Sequence, residues 1–211
     1  LDICGIRISI QLTEARHRRM IERRYRSFLA RSMPDILIET QLQPMGNDGD
    51  STHAPDVDCD DRRRTIAIHR YDFDAALDLR AGRGYLLCAD RMTAFDSFLR
   101  ILFTHLLLKS RGFLVHAAGL RFGDAGYLFP GVSGAGKTTL SRMAGESRVL
   151  SDELPGVRLA SEGWRIMGTP FWGEFERGRL NVEAPLRGIF FLNRRAPRGC
   201  RRLPDDDAYL R

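Results

Sequence analysis

The residues with the clearest chemical potential lie in the stretch GVSGAGKT, at residues 131–138. The stretch fits the P-loop pattern G-x-x-x-x-G-K-[S/T], in which main-chain amides and the positive end of a helix surround a phosphate. Backbone curls this tightly only where side chains are small, as at Gly131, Gly134, Ala135 and Gly136. The pattern therefore predicts a site for the phosphates of a nucleotide.

Lys137 is one of two lysines in a chain whose lysines and arginines together number 33. A compact ammonium suits a concave phosphate site better than the planar fork of arginine. We therefore predict that Lys137 contacts the β- and γ-phosphates of ATP and that the hydroxyl of Thr138 ligates Mg²⁺. Ser133 and Thr139 complete the predicted phosphate-binding residues.

A pair of acids, Asp152 and Glu153, follows the short apolar run Val149–Leu150 soon after the P-loop. A carboxylate at the end of a strand beside a P-loop typically holds Mg²⁺, directly or through water. One acid could accept a proton from an attacking hydroxyl while the other stays on the metal. The alternative is that both acids merely cap the turn before Pro155.

The elements around these residues form a compact predicted unit. An apolar run at 127–129 predicts a strand leading into the loop, and residues 137–144 predict a helix that Gly145 ends. Before them, two apolar runs flank GDAG within residues 113–131, which predicts an antiparallel hairpin. A strand reached through a hairpin argues for a mixed sheet rather than an all-parallel one.

Three motifs, VHAAG, GVSGAGKTTL and VLSDE, resemble the catalytic core of HPr kinase/phosphorylase over residues 113–156. A looser similarity to the HPr-kinase-related proteins of bacteria extends to FLRILFTHLLL and GTPFWGEF. The resemblance implies an α/β fold with a P-loop core on a mixed sheet, of the type shared with phosphoenolpyruvate carboxykinase. It also implies ATP- and Mg²⁺-dependent transfer of a phosphoryl group to a serine on a protein or peptide.

The same resemblance implies roles for individual residues. Asp152 would be the general base for the serine hydroxyl, Glu153 a Mg²⁺ ligand, and His116 a group near Asp152 that tunes its pKa. The chain departs from the family pattern at Ala117, where the family has glycine, and at Glu153, where it has aspartate. The family's Glu-Val-Arg-Gly signature is echoed only vaguely by VEAPLRG, so the reverse phosphorolysis is not implied.

Two other functions remain open from the sequence. The chain could be a non-catalytic ATP-binding switch or adaptor in a peptide-modification system, or a carboxykinase-like enzyme acting on a small acid. The substitution Asp152→Asn distinguishes the switch or adaptor from a kinase, because only a kinase would lose phosphoryl transfer. A carboxykinase would need further basic and metal-binding residues around a carboxylate pocket, and no convincing set is visible.

We expect the chain to divide into an N-terminal α+β segment, 1–93, and a P-loop kinase-like core, 94–211. Alternating apolar residues predict strands at 3–10, 35–42, 65–70, 74–80 and 84–89. Helical spacing predicts helices at 13–31, capped by Thr13, and at about 94–110. Residues 43–64 are polar and rich in Asp, Gly and Pro, which predicts a long flexible loop. Residues 189–192 read as a core strand.

Composition limits the remaining classes. A hydrophobic content of 43% supports a folded core, and the net charge of +6 comes with an arginine-rich face on helix 13–31. That face is either solvated or a docking surface for an acidic peptide. Because no aromatic residues interleave the arginines, we do not expect nucleic acid binding. The four scattered cysteines form neither a zinc nor a disulfide pattern.

The sequence also bears on location and assembly. It contains no secretory signal and no apolar stretch long enough to cross a bilayer, so we expect a cytoplasmic protein without a membrane partner. A homo-oligomer is compatible with the sequence. The chain begins with Leu1 rather than methionine and ends in residues typical of a helix just beginning, which favours a fragment, truncated at the C-terminus, or a processed chain.

Overall fold

The structure is a computed structural model that describes residues 1–44, 54–173, 180–193 and 199–204. These residues form an α/β fold with two seven-stranded mixed sheets and three α-helices. None of the helices in the described ranges combines the length and the apolar character that a bilayer crossing requires. The prediction of an α/β protein with a mixed sheet is confirmed.

The strands of the first sheet are β1 Asp2–Ile3, β2 Ile6–Leu12, β3 Ile36–Gln43, β4 Asp56–Asp60, β5 Thr65–Arg70, β6 Phe73–Asp78 and β7 Arg83–Ala89. Their order across the sheet is β1-β2-β3-β7-β6-β5-β4. Its inner strands β2, β3 and β7 run parallel, and the remaining pairs are antiparallel. Alternate side chains of β3, β5 and β6 are buried on one face, as the period of two in the sequence predicts.

Three predictions in this region need correction. The strand predicted at 3–10 is two strands, because Cys4 and Gly5 adopt left-handed φ values of 54° and 76° and turn the chain between β1 and β2. The helix predicted at 13–31 is the shorter α1, Ala15–Arg24, followed by a 3₁₀ turn at Arg26–Phe28. Thr13 does not cap α1, since the N-cap position is held by the residue after it, without a capping hydrogen bond.

The predicted flexible loop 43–64 is wrong over its last part. Residues 56–60 form β4, an edge strand whose Asp58 lies opposite Ala67 of β5. Its acidic residues hid it in the sequence, although charged side chains are typical of a protected sheet edge. Residues 45–53 of the predicted loop lie outside the described residues.

The long helix α2, Met92–Lys109, packs its apolar face on the first sheet. Phe95 and Phe98 are fully buried there. Their rings make edge-to-face contacts with Tyr25 and Phe73, at centroid distances of 5.8 Å in both pairs. The helix therefore shares its core with the N-terminal sheet and then leads the chain into the second sheet.

The strands of the second sheet are β8 Gly112–Leu114, β9 Ala117–Phe122, β10 Ala125–Pro130, β11 Val149–Ser151, β12 Gly156–Ala160, β13 Gly163–Met167 and β14 Glu183–Ile189. Their order across the sheet is β11-β9-β10-β14-β13-β12-β8. The predicted hairpin is confirmed as the antiparallel pair β9 and β10. The P-loop helix α3, Lys137–Ala144, follows β10, and β14 runs parallel to β10 on its other side.

The strand predicted at 189–192 is placed wrongly. The strand in this region is β14, which overlaps the predicted range only at its last residue, Ile189, and Ile189 is 52% exposed. The core-facing residues of β14 include Ala184 and Leu186. They alternate with polar residues and Pro185, so the pattern was masked in the sequence.

Candidate functional site at the sheet edge

The P-loop joins the end of β10 to the start of α3. Gly134 and Gly136 have φ values of 80° and 108°, in the left-handed region that favours glycine. The amide of Leu140 donates to the carbonyl of Gly136 (2.9 Å), which closes the first turn of α3. The amides earlier in this turn have no acceptor within the helix, so they are available to donate to an anion.

The loop is closed by a tight contact between two small residues. A Cβ atom built on Gly131 would lie 2.9 Å from the Cβ of Ala135. The amide of Ala135 donates to the carbonyl of Val132 (3.1 Å), which makes the turn between them. Glycine at position 131 is therefore required by space.

The side chain of Lys137 is folded into the loop. It is 7% exposed, and its Nζ donates to the carbonyls of Gly131 (2.7 Å) and Val132 (3.1 Å). Around it, Thr138 is half-buried, while Ser133 and Thr139 are exposed. The loop thus holds a buried ammonium next to hydroxyl groups that remain accessible.

The acids predicted from the sequence sit in a turn, residues 151–154, that we call the acid turn. Ser151 builds it: its Oγ donates to the carbonyl of Phe171 (2.6 Å) and accepts the amides of Glu153 (3.3 Å) and Leu154 (3.0 Å). Asp152 is 3% exposed, and its Oδ1 accepts the amide of Gly173 (3.0 Å). These bonds fix the position and the orientation of the Asp152 carboxylate.

Glu153 is engaged by an arginine from outside the predicted motifs. Its Oε2 lies 2.9 Å from Nη2 of Arg100, on α2, and the same Nη2 donates to the carbonyl of Trp172 (3.0 Å). Both side chains are 30% exposed. Arg100 lies within the stretch FLRILFTHLLL, but its spacing from the acids gave no reason to place it beside Glu153, and it falls within the apolar pattern of α2.

Residues 168–173, part of the GTPFWGEF segment, pack against the acid turn. The Oγ1 of Thr169 donates to the carbonyl of Leu154 (2.7 Å), and Phe171 is 1% exposed. The guanidinium of Arg24, on α1, lies over the ring of Trp172. This segment therefore connects the acid turn to the first sheet and its helices. Glu174 and Phe175 lie outside the described residues.

Strand pairing brings the P-loop and the acid turn to one edge of the second sheet. Ala117, the first residue of β9, lies opposite Pro130 at the end of β10, and its amide donates to the carbonyl of Glu153 (2.9 Å). Since neighbouring strands are about 4.8 Å apart, the backbone of the acid turn is about 10 Å from that of Pro130. His116 precedes Ala117 at this edge and is exposed.

The residues present fit a magnesium site that a nucleotide would complete. Mg²⁺ is usually bound through one or two carboxylates together with substrate phosphates and water. Glu153 and Thr138 supply the carboxylate and hydroxyl oxygens at this edge. Across the described ranges, the side chains of His, Cys, Asp and Glu form no cluster of three or more that could hold a metal without a ligand.

No protein-family model matches the chain, and no curated protein sequence is significantly similar to it.

Proposed function

We propose that the protein binds ATP and Mg²⁺ at residues 131–139 and transfers the γ-phosphoryl group to a serine hydroxyl of a protein or peptide. The observation that carries the proposal is the placement of Ala117 between Pro130 and Glu153. This pairing sets the backbones of Pro130 and Glu153 about 10 Å apart, a separation that would suit a terminal phosphate and an acceptor between the loop and the acids.

The P-loop residues would bind and neutralise the phosphates. The first-turn amides of α3 and the ammonium of Lys137 surround the β- and γ-phosphates. Thr138 and Glu153 would hold Mg²⁺, which neutralises charge on the phosphate oxygens when bound. Glu153 reaches the metal either through the carboxylate oxygen not paired with Arg100 or by giving up that half-exposed ion pair, which is worth about 1 kcal/mol or less.

Asp152 would act as the general base. Its carboxylate is buried and oriented by the Gly173 amide, which suits a group that must meet one hydroxyl in one geometry. The serine Oγ attacks the γ-phosphorus, its proton passes to Asp152, and ADP leaves. His116, at the same edge, would contact the acceptor or Asp152 and so influence the proton transfer.

A test uses γ-labelled ATP, Mg²⁺ and serine-containing candidate peptides. Asp152→Asn keeps the size of the side chain and removes the base, so transfer should fall by about 10²- to 10⁴-fold while ATP affinity changes little. Lys137→Ala should lose both transfer and ATP binding. Transfer by the Asp152→Asn variant at the wild-type rate would rule out Asp152 as the base.

A second candidate is an ATP-sensing switch or adaptor without kinase activity. It is favoured by the chain of contacts from Glu153 through Arg100 and Trp172 to Arg24, which links the acid turn to α1. A metal–nucleotide complex that draws Glu153 away from Arg100 would break the first contact in this series. A switch predicts that no acceptor is labelled and that Asp152→Asn leaves nucleotide-dependent partner binding intact.

A further inference from the structure

We infer that the base of the bound nucleotide stacks on Phe190, and this inference rests on the proposed nucleotide site. Four aromatic side chains make a continuous row of ring contacts on the second sheet, which we call the aromatic strip. Successive centroids in the strip are 6.1, 6.0 and 5.4 Å apart. Its members are Phe122, Tyr127, Phe190 and Phe129.

One end of the strip lies beside the P-loop. Phe190 is the first residue after β14, and its amide donates to the carbonyl of Leu128 (2.8 Å). Because Ile189 lies opposite Leu128 in the parallel pair, Phe190 lies opposite Phe129, two residues before Gly131. With about 4.8 Å between strands and 3.3 Å per residue, its backbone is about 8 Å from the first glycine of the loop.

The position of the acid turn gives the nucleotide a direction. The acid turn lies on the β9 side of β10, whereas Phe190 lies on the β14 side. A triphosphate whose γ-phosphate points toward Glu153 must extend its ribose and base the opposite way across the loop. That direction leads to the carboxyl ends of the parallel strands β10 and β14, where ligands of α/β proteins commonly bind.

The ring of Phe190 is prepared for stacking. It stacks on Phe129 with an interplanar angle of 20°, so its plane is fixed, and 36% of the residue remains exposed. Gly188 makes this possible, since a Cβ there would lie 2.8 Å from the Phe190 ring. Stacking on an aromatic ring tolerates different bases, so we expect recognition of the base as a flat ring system rather than by its hydrogen-bonding edge.

The experiment compares ATP with inorganic tripolyphosphate, which has the phosphates but no base, by calorimetry with Mg²⁺. Phe190→Ala should weaken ATP binding by about 10- to 100-fold and leave tripolyphosphate binding unchanged. Phe122→Ala is the matched control: this ring is 42% exposed at the far end of the strip, so its removal should leave both affinities at the wild-type level. Phe190→Leu keeps apolar volume without a stacking face and should resemble Phe190→Ala.

These measurements test the proposed base site at Phe190 separately from the proposed phosphate site at the P-loop. If Phe190→Ala and Phe190→Leu bind ATP as the wild type does, while Lys137→Ala does not, the base site is wrong and the phosphate site stands. Equal loss for ATP and tripolyphosphate, or an equal effect of Phe122→Ala, also overturns the base site and would indicate a structural role. If the folded wild-type protein binds neither ligand, the nucleotide site itself is wrong and the inference falls with it.

Discussion

Replacing Gly131 by alanine tests the geometry of the P-loop most directly. The added Cβ would lie 2.9 Å from the Cβ of Ala135, whereas carbon atoms in favourable contact are about 3.5–4.0 Å apart. The φ of Gly131 is not in the left-handed region, so alanine is strained there by this contact alone. The loop must therefore open by roughly 0.6 Å or more for Gly131→Ala to be accommodated.

The size of the effect follows from the cost of such overpacking, about 1–3 kcal/mol. In the free protein the exposed residues of the loop can relax, so we expect little change in thermal stability. Binding requires the closed loop, so the strain appears in the affinity, and the dissociation constant for Mg²⁺–ATP should rise by about 10- to 100-fold. Calorimetry measures the affinity, and circular dichroism measures the melting temperature.

The second substitution Ala135→Gly removes the other half of the contact. The double variant Gly131→Ala/Ala135→Gly should recover affinity to within about fivefold of wild type, since the extra glycine costs at most about 1 kcal/mol in chain entropy. Ala135→Gly alone measures that entropic cost and completes the cycle. A double variant as weak as Gly131→Ala would refute the contact as the reason for glycine at this position.

Two predictions concern stability. Burial alone would raise the pKa of Asp72, but hydrogen bonds from Arg70 and Arg91 outweigh this effect, so the pKa of Asp72 is lowered. The ionised carboxylate therefore stabilises the fold above about pH 4, and this stabilisation is lost as the pH falls through the pKa of Asp72 in the folded protein. Melting curves should therefore show a steeper loss below pH 4 in wild type than in Asp72→Asn, and parallel profiles would contradict these ion pairs. Tyr25→Phe removes the buried hydroxyl that donates to Asp96 and should lower the melting temperature by about 2–6 °C, for a loss of about 1–1.5 kcal/mol. An unchanged melting temperature would show that this hydrogen bond contributes nothing.

The sequence predicted best those elements whose signal is local. The strand and the helix that flank residues 131–136, and the hairpin around GDAG, are each specified by residues close together in the chain, and all are present. The sequence did not predict the acidic edge strand β4 or the bounds of β14, because these strands depend on pairing with strands that lie elsewhere in the chain. Ala184 and Leu186 become a core pattern only when the strand lies between β10 and β13.

The sequence predicts which residues could belong to the candidate site, but it does not predict how they are arranged in space. Spacing alone selected Lys137 as a candidate, because the phosphate-loop pattern sets particular residue types at particular intervals, and the acids were selected by their place after a short apolar run. It could not identify Arg100 or Phe190, whose positions beside Glu153 and Phe129 depend on how α2 and β14 pack. Such contacts join residues far apart in the chain, so no local sequence pattern predicts them.

The two carbonyls that hold Lys137 have a consequence for the thermodynamics of ligand capture. A free lysine side chain carries about 2 kcal/mol of rotamer entropy, and here most of that freedom is already lost when the chain folds. An arriving phosphate would meet a cation whose side chain is largely ordered, and would replace the carbonyls of Gly131 and Val132 as hydrogen-bond acceptors. The ordering penalty thus falls on folding rather than on association, which leaves more of the electrostatic attraction available as affinity.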